Sequence, residues 1–264
     1  MADIKVAVIN AGTAVSDADV QGAVAALQTQ VHRDFAPVWG IDADLEFVPR
    51  GTRPPPGAWW LAILDNSDQA GALGYHDLTS QGLPLGKVFA ASDIGSGNSW
   101  TVTASHELLE MLADPGINLT AFAERAGQDG IHAGILFAYE VCDACEADQY
   151  GYQIGGTTVS DFVFPSWFEP FWPPGTTQFD YKNQIKQPFE LLPGGYIGVN
   201  GLSPGVGWQQ LTEQPAHAAP QRVRPRVGSR RERRRTARSQ WKPSTAHPGL
   251  PGIPASARPL RRRP

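Results

Sequence analysis

The segment from Ile94 to Ala113 constrains this chain most. Its only acidic residues are Glu107 and Glu110, it holds no Lys or Arg, and His106 lies beside them. Asn98 or Ser99 offers an N-cap, and Asp114-Pro115-Gly116 ends the segment, because proline cannot continue the helical hydrogen-bond ladder. A helix over about residues 100–112 follows. On it, His106 and Glu110 are four residues apart and share one face, with Glu107 one step around. If this helix is buried, two carboxylates without a basic residue need a cation to offset desolvation and mutual repulsion. A metal ion would supply it. The bland alternative is a polar stripe facing water.

The rest of the chain reads as one folded body and a tail. Residues 1–220 hold 8 Lys/Arg against 25 Asp/Glu, whereas residues 221–264 hold 14 Lys/Arg and a single Glu. Such asymmetry marks a domain followed by a charged segment. We expect a folded domain over residues 1–214 and a disordered Arg/Pro-rich tail over 215–264. In the body, a Val/Ile-rich strand at residues 4–9 precedes an amphipathic helix at 16–35. Val20, Val24, Leu27, Val31 and Phe35 recur there at spacings of three and four, with Ser16 or Asp17 as cap. Further strands are expected at residues 45–48, 59–64, 74–77 and 87–91, the last two as a hairpin or sheet edge. Beyond residue 140 the Gly, Pro and aromatic residues indicate loops and short strands rather than long helices. The fold class is therefore α/β (α+β) with a loop-rich C-terminal part.

Several function classes fall away. Two cysteines, Cys142 and Cys145, are too few for a disulfide framework; their C-x-x-C spacing suits a metal or redox pair, with buried thiols the simpler account. No apolar run is long enough to span a bilayer, and no export leader opens the sequence, so a cytoplasmic protein is the expectation, non-classical export aside. Gly95-Ser96-Gly97 lacks the Gly-Lys-Ser/Thr that follows in a phosphate-binding loop.

His106-Glu107-Leu108-Leu109-Glu110 has the layout of the zinc-protease helix. Residues i and i+4 bind the ion in that motif, and the Glu at i+1 takes a proton from water. Here the second ligand position is Glu, which zinc accepts. Further along, Glu140 and Asp143 fall three apart in Tyr139-Glu140-Val141-Cys142-Asp143-Ala144-Cys145-Glu146.

Ser105-His106-Glu107-Leu108-Leu109-Glu110, then Ala113-Asp114-Pro115, then Glu140-Val141-Cys142-Asp143 resembles the pattern of zincin-like bacterial proteins, and more distantly that of the plant phosphate-induced (exordium) proteins. Gly74-Tyr75-His76-Asp77 and Val159-Ser160-Asp161-Phe162-Val163 add to the likeness, which covers about residues 4–200. Cys145, rather than Cys142, matches the pattern's cysteine. The resemblance implies a twisted mixed sheet, a backing helix at residues 16–35, an active-site helix below the sheet edge, and a substrate-binding edge strand near residues 87–91. It implies zinc, or another divalent metal, held by His106, Glu110 and Glu140. Asp143 would be a fourth ligand or a partner holding His106, and Glu107 the general base. His76 would line the cleft or stabilise an oxyanion; a hydrogen-bonded strand histidine is the plainer reading. His132 is an alternative ligand. The expected activity is a metallopeptidase cutting peptides or proteins with metal-activated water. The rival is a non-catalytic protein stabilised by its metal.

Trp167, Phe168, Phe171 and Trp172 either form a specificity pocket or fill the core. The Arg-rich tail could bind a polyanion such as nucleic acid, fold back on the acidic body, or remain solvated.

Overall fold

The computed structural model describes residues 2–69, 72–125, 133–201, 207–213 and 221–222. The chain opens with strand β1 (Ile4–Asn10) and helix α1 (Asp17–Thr29). Ser16 caps α1 in a capping box with Asp19. The helix continues through a π-helical stretch, Gln30–Phe35, into the short α2 (Ala36–Trp39). Strands β2 (Ala43–Val48), β3 (Trp59–Leu64), β4 (Gly74–Leu78) and β5 (Pro84–Phe89) follow, then α3 (Ala90–Gly95) and α4 (Trp100–Ala113).

These five strands form a mixed sheet in the order β2-β1-β3-β5-β4. The first four run parallel, and β4 pairs antiparallel to β5 at the edge. Both faces are covered. Val6, Val8, Leu61, Ile63 and Val88 join the main core with α1 and α4, while Ala7, Ile9, Ala62, Leu64 and Phe89 form a second cluster. That double burial is why β1 and β3 are continuous apolar runs and not alternating ones. α1 packs against β1 and β2, and α4 against β3, β4 and β5.

The remaining chain builds a second layer. β6 (Thr120–Arg125), β7 (Ala133–Ala138), the hairpin β8 (Tyr152–Ile154) with β9 (Thr157–Val159), β10 (Tyr196–Asn200), β11 (Trp208–Thr212) and the two-residue β12 (Gln221–Arg222) are joined by loops and 3-10 turns. β12-β11-β10-β7-β6 form an antiparallel sheet. Sequence periodicity did not mark this sheet or α3. The strand expected at residues 87–91 begins earlier, at Pro84, and Ala90 and Ala91 open α3 instead. The edge strand is β4, with Lys87 in the strand next to it. Gln221 and Arg222 pair with β11 inside the span expected as tail; the rest of 214–264, like His132, lies outside the described residues. Trp167 and Phe168 are core residues, whereas Phe171 is 70% exposed and Trp172 36%. No described helix is long and apolar enough to cross a membrane.

Two glycines set how closely α4 approaches the sheet edge. A Cβ on Gly74 would stand 2.7 Å from Thr103 Cγ2 and 2.8 Å from Glu107 Oε1, and one on Gly86 would stand 2.7 Å from Leu61 Cδ1. Gly86 is also the register partner of His76. Gly74→Ala should therefore push α4 from β4 and destabilise the chain by about 1–3 kcal/mol, the usual cost of overpacking. Denaturant melts of variant and parent test this, and equal midpoints would contradict it.

Candidate metal centre

α4 is anchored at both ends and in its middle. At its N-terminus the Asp148 carboxylate accepts from the Ser99 backbone N–H (2.6 Å) and supplies the cap that Ser99's own side chain does not. At its C-terminus Asp114 accepts from Asn118 N and Leu119 N, both at 3.0 Å, which ties off the turn. In the middle, Ser105 Oγ donates to Gln30 Oε1 (2.6 Å) and accepts from Ser160 N (3.0 Å). Gln30 Nε2 in turn donates to the Ser160 carbonyl (2.9 Å). The π-helical stretch of the backing helix, α4 and the segment after β9 are thus locked together by fully satisfied buried polar groups.

This lock presents His106, Glu107 and Glu110 to residues from two other directions. β4 brings His76, whose Nδ1 lies 3.5 Å from Glu107 Oε2 and 3.4 Å from Glu110 Oε2. The segment after β7 brings Glu140, Asp143 and Glu146. His106 Nε2 lies 3.4 Å from Glu110 Oε1 and 3.2 Å from Asp143 Oδ1. Three overlapping groups have donor atoms all within 4.8 Å of one another: His76, Glu107 and Glu110; His106, Asp143 and Glu146; Glu110, Glu140 and Asp143. All six residues expected from the sequence therefore converge. Asp143 faces His106, and Glu140 is grouped with Glu110 and Asp143. Glu146 was in view in the sequence without a role; its spacing of three from Asp143 was the available signal. Tyr196, which comes beside Asp143 from β10, had none. Cys142 and Cys145 are buried free thiols, and Cys142 contributes its backbone N–H to Glu110 Oε1 at 3.3 Å.

The residues fit a cation on three counts. Zinc–donor bonds of about 2.0–2.1 Å at tetrahedral angles put donors roughly 3.3 Å apart, the spacing seen around His106 Nε2. Glu107 Oε2 is buried without a hydrogen-bond partner, a costly state for a carboxylate oxygen. The carboxyl groups also crowd. Burial, with the Glu110 charge, pushes Asp143 up to about 7, and burial beside Asp143 pushes Glu146 up to about 8. Burial acts to lower His106, but Glu110 and Asp143 outweigh it and hold the imidazole well above its ordinary value. Glu110 is held well below the usual carboxylate range: burial opposes this, and His106 and His76 overcome it.

These shifts set the pH response of the metal-free chain. Asp143, Glu146 and His106 all bind protons more tightly folded than unfolded, so stability falls as pH rises from about 4 through about 8. Glu110 acts the other way, but only below its ordinary value of 4.5. With chelator present, the melting temperature should be lower at pH 8 than at pH 5.5, and a divalent cation should restore it at pH 8. A chelated chain that melts higher at pH 8 would contradict this account.

Compared with family models, curated proteins and solved structures, the chain matches none of them.

Proposed function

We infer that this chain is a metal-dependent hydrolase of the zincin-like kind, acting on peptide bonds. The single observation that carries the reading is His106 Nε2 with Glu110 Oε1 at 3.4 Å and Asp143 Oδ1 at 3.2 Å, and beside them a buried Glu107 Oε2 that no hydrogen bond satisfies. The sheet order, with its antiparallel edge strand above α4, is in keeping with the zincin-like resemblance. His106, Glu110 and Asp143 would hold the ion, with Glu140 and Glu146 in reserve around it. A divalent cation in that place supplies Lewis acidity, acidifying water and polarising a carbonyl.

The chain's own residues supply the rest. Glu107 is placed to accept a proton from water and return it to the leaving amine. His76, between Glu107 and Glu110, orients both carboxylates. Asp143 Oδ1 and Glu110 Oε1 both face His106 Nε2, so that one nitrogen and two carboxylates would share the ion. β4 ends the sheet next to Glu107, where an extended peptide can add by main-chain hydrogen bonds.

Burial favours a second reading, a metal that serves structure alone. His76, Glu110, Glu140 and Asp143 are each no more than 4% exposed, and closed sites are characteristic of structural zinc. Glu146 and Tyr196 are the partly exposed side of the cluster, and an approach to a catalytic ion would lie there.

Activity on a peptide library separates the two. Glu107→Gln should retain metal at His106, Glu110 and Asp143 yet lower peptidase activity at least about 100-fold, in the lower range of general acid–base contributions. Undiminished activity in this variant would remove Glu107 as base. A metal-loaded parent that cleaves nothing, but melts far above the chelated form, would leave the structural reading in its place.

A further inference from the structure

The two oxygens of Glu110 point to different histidines. Oε1 lies 3.4 Å from His106 Nε2, and Oε2 lies 3.4 Å from His76 Nδ1. Around His106 the next donor is Asp143 Oδ1 at 3.2 Å, and around His76 it is Glu107 Oε2 at 3.5 Å. Each histidine is thus the centre of a similar triad, one imidazole and two carboxylates, and Glu110 belongs to both. The spacing that fits a cation beside His106 is repeated beside His76.

We propose that the cluster is a two-metal centre, in which His76, Glu107 and Glu110 hold a second divalent cation and the Glu110 carboxylate bridges the two. An observation independent of the spacing points to a ligand there: Glu107 is 5% exposed, and its Oε2, the oxygen facing His76, has no hydrogen-bond partner. Charge points the same way. Glu107, Glu110, Glu140, Asp143 and Glu146 bring five carboxyl groups into the overlapping groups. One divalent cation balances two of them when ionised; two cations balance four. Mixed imidazole and carboxylate donors suit zinc and manganese alike.

The proposal rests on the metal reading of His106 and Asp143, since Glu110 serves both places. It leaves the proton-accepting role of Glu107 in place. Oε2 would be the donor to the second cation, and Oε1, which lies near Gly74, the oxygen that takes the proton.

The test uses the full chain, stripped by chelator, reloaded with zinc or manganese ions alone and desalted before metal analysis. Two ions per chain are expected for the parent, and one each for His76→Ala and Asp143→Asn. Manganese-loaded parent should give an exchange-coupled paramagnetic resonance spectrum, and the two variants the spectrum of an isolated ion. The parent spectrum decides the matter even if a variant fails to fold. One ion per chain in the parent, kept in His76→Ala and lost in Asp143→Asn, would overturn the second place and leave the first intact. Two ions without coupling would overturn the Glu110 bridge. No bound ion in the parent would sink the proposal together with the metal reading beneath it.

Discussion

Carboxyl groups gathered in a buried place repel one another, and the rest of this fold exists around that fact. Two unit charges about 4 Å apart repel by roughly 4 kcal/mol at the effective dielectric of a protein near its surface. A net hydrogen bond contributes only about 1 kcal/mol. Hydrogen bonds such as the one from Cys142 N to Glu110 therefore cannot hold five ionised carboxylates together. Either some carry protons, as the upward shifts of Asp143 and Glu146 indicate for the chain without metal, or cations lie between them. On the metal reading proposed above, the site would be a balance between those two states, with pH and metal as alternative ways of tipping it.

Holding the groups in place requires a scaffold that does not relax. Glu107 and Glu110 are fixed by α4, whose register is set by Ser105 bonding to Gln30 and Ser160. His76 is fixed by pairing of β4 with β5. Asp143 is carried on a 3-10 turn that packs against β10. Asp34 binds the outer shell: it accepts from Tyr152 OH (2.8 Å) and Tyr181 OH (2.9 Å), joining the backing helix to the C-terminal loops. The three sources of the cluster's side chains are thus far apart in sequence but share supports that cross between layers. Loss of a support away from the centre would be felt as a displaced carboxylate or imidazole.

The first half of this architecture was legible in the sequence because its signals are local. The capped helix after β1, the Val/Ile runs, and the Asp-Pro-Gly stop each declare themselves within a few residues, and the spacing of His106 and Glu110 is a property of one helix. The second sheet was not legible. β6 and β7 carry Gly, Ala and polar residues without clear alternation, and β10 and β11 pair across sequence that gives no register signal. The site divides along the same line. Glu107 and Glu110 follow from helix geometry. The choice between Glu140 and Asp143 as the partner of His106 depends on where a loop passes, which no periodicity reports. The contact from Tyr196 depends on β10 and could not be foreseen.

His76 is where the local and non-local readings meet. On the sequence it is one histidine in a short strand beside Asp77, most simply a hydrogen-bonded strand residue. In the structure its side chain faces α4 and meets two carboxylates at nearly equal distances. A histidine serving only as a strand hydrogen-bond donor needs one acceptor, and one carboxylate on α4 would provide it. Two carboxylates brought to the same Nδ1, one of them with a buried oxygen otherwise unpartnered, exceed that need. A neutral imidazole that presents Nδ1 as an acceptor would be repelled by both carboxylates, and a protonated one can satisfy only a single short bond from that nitrogen. A cation between the three groups removes the conflict, because every one of them then faces positive charge. A cation at His76 would act by the same physics as one at His106, with Glu110 common to both.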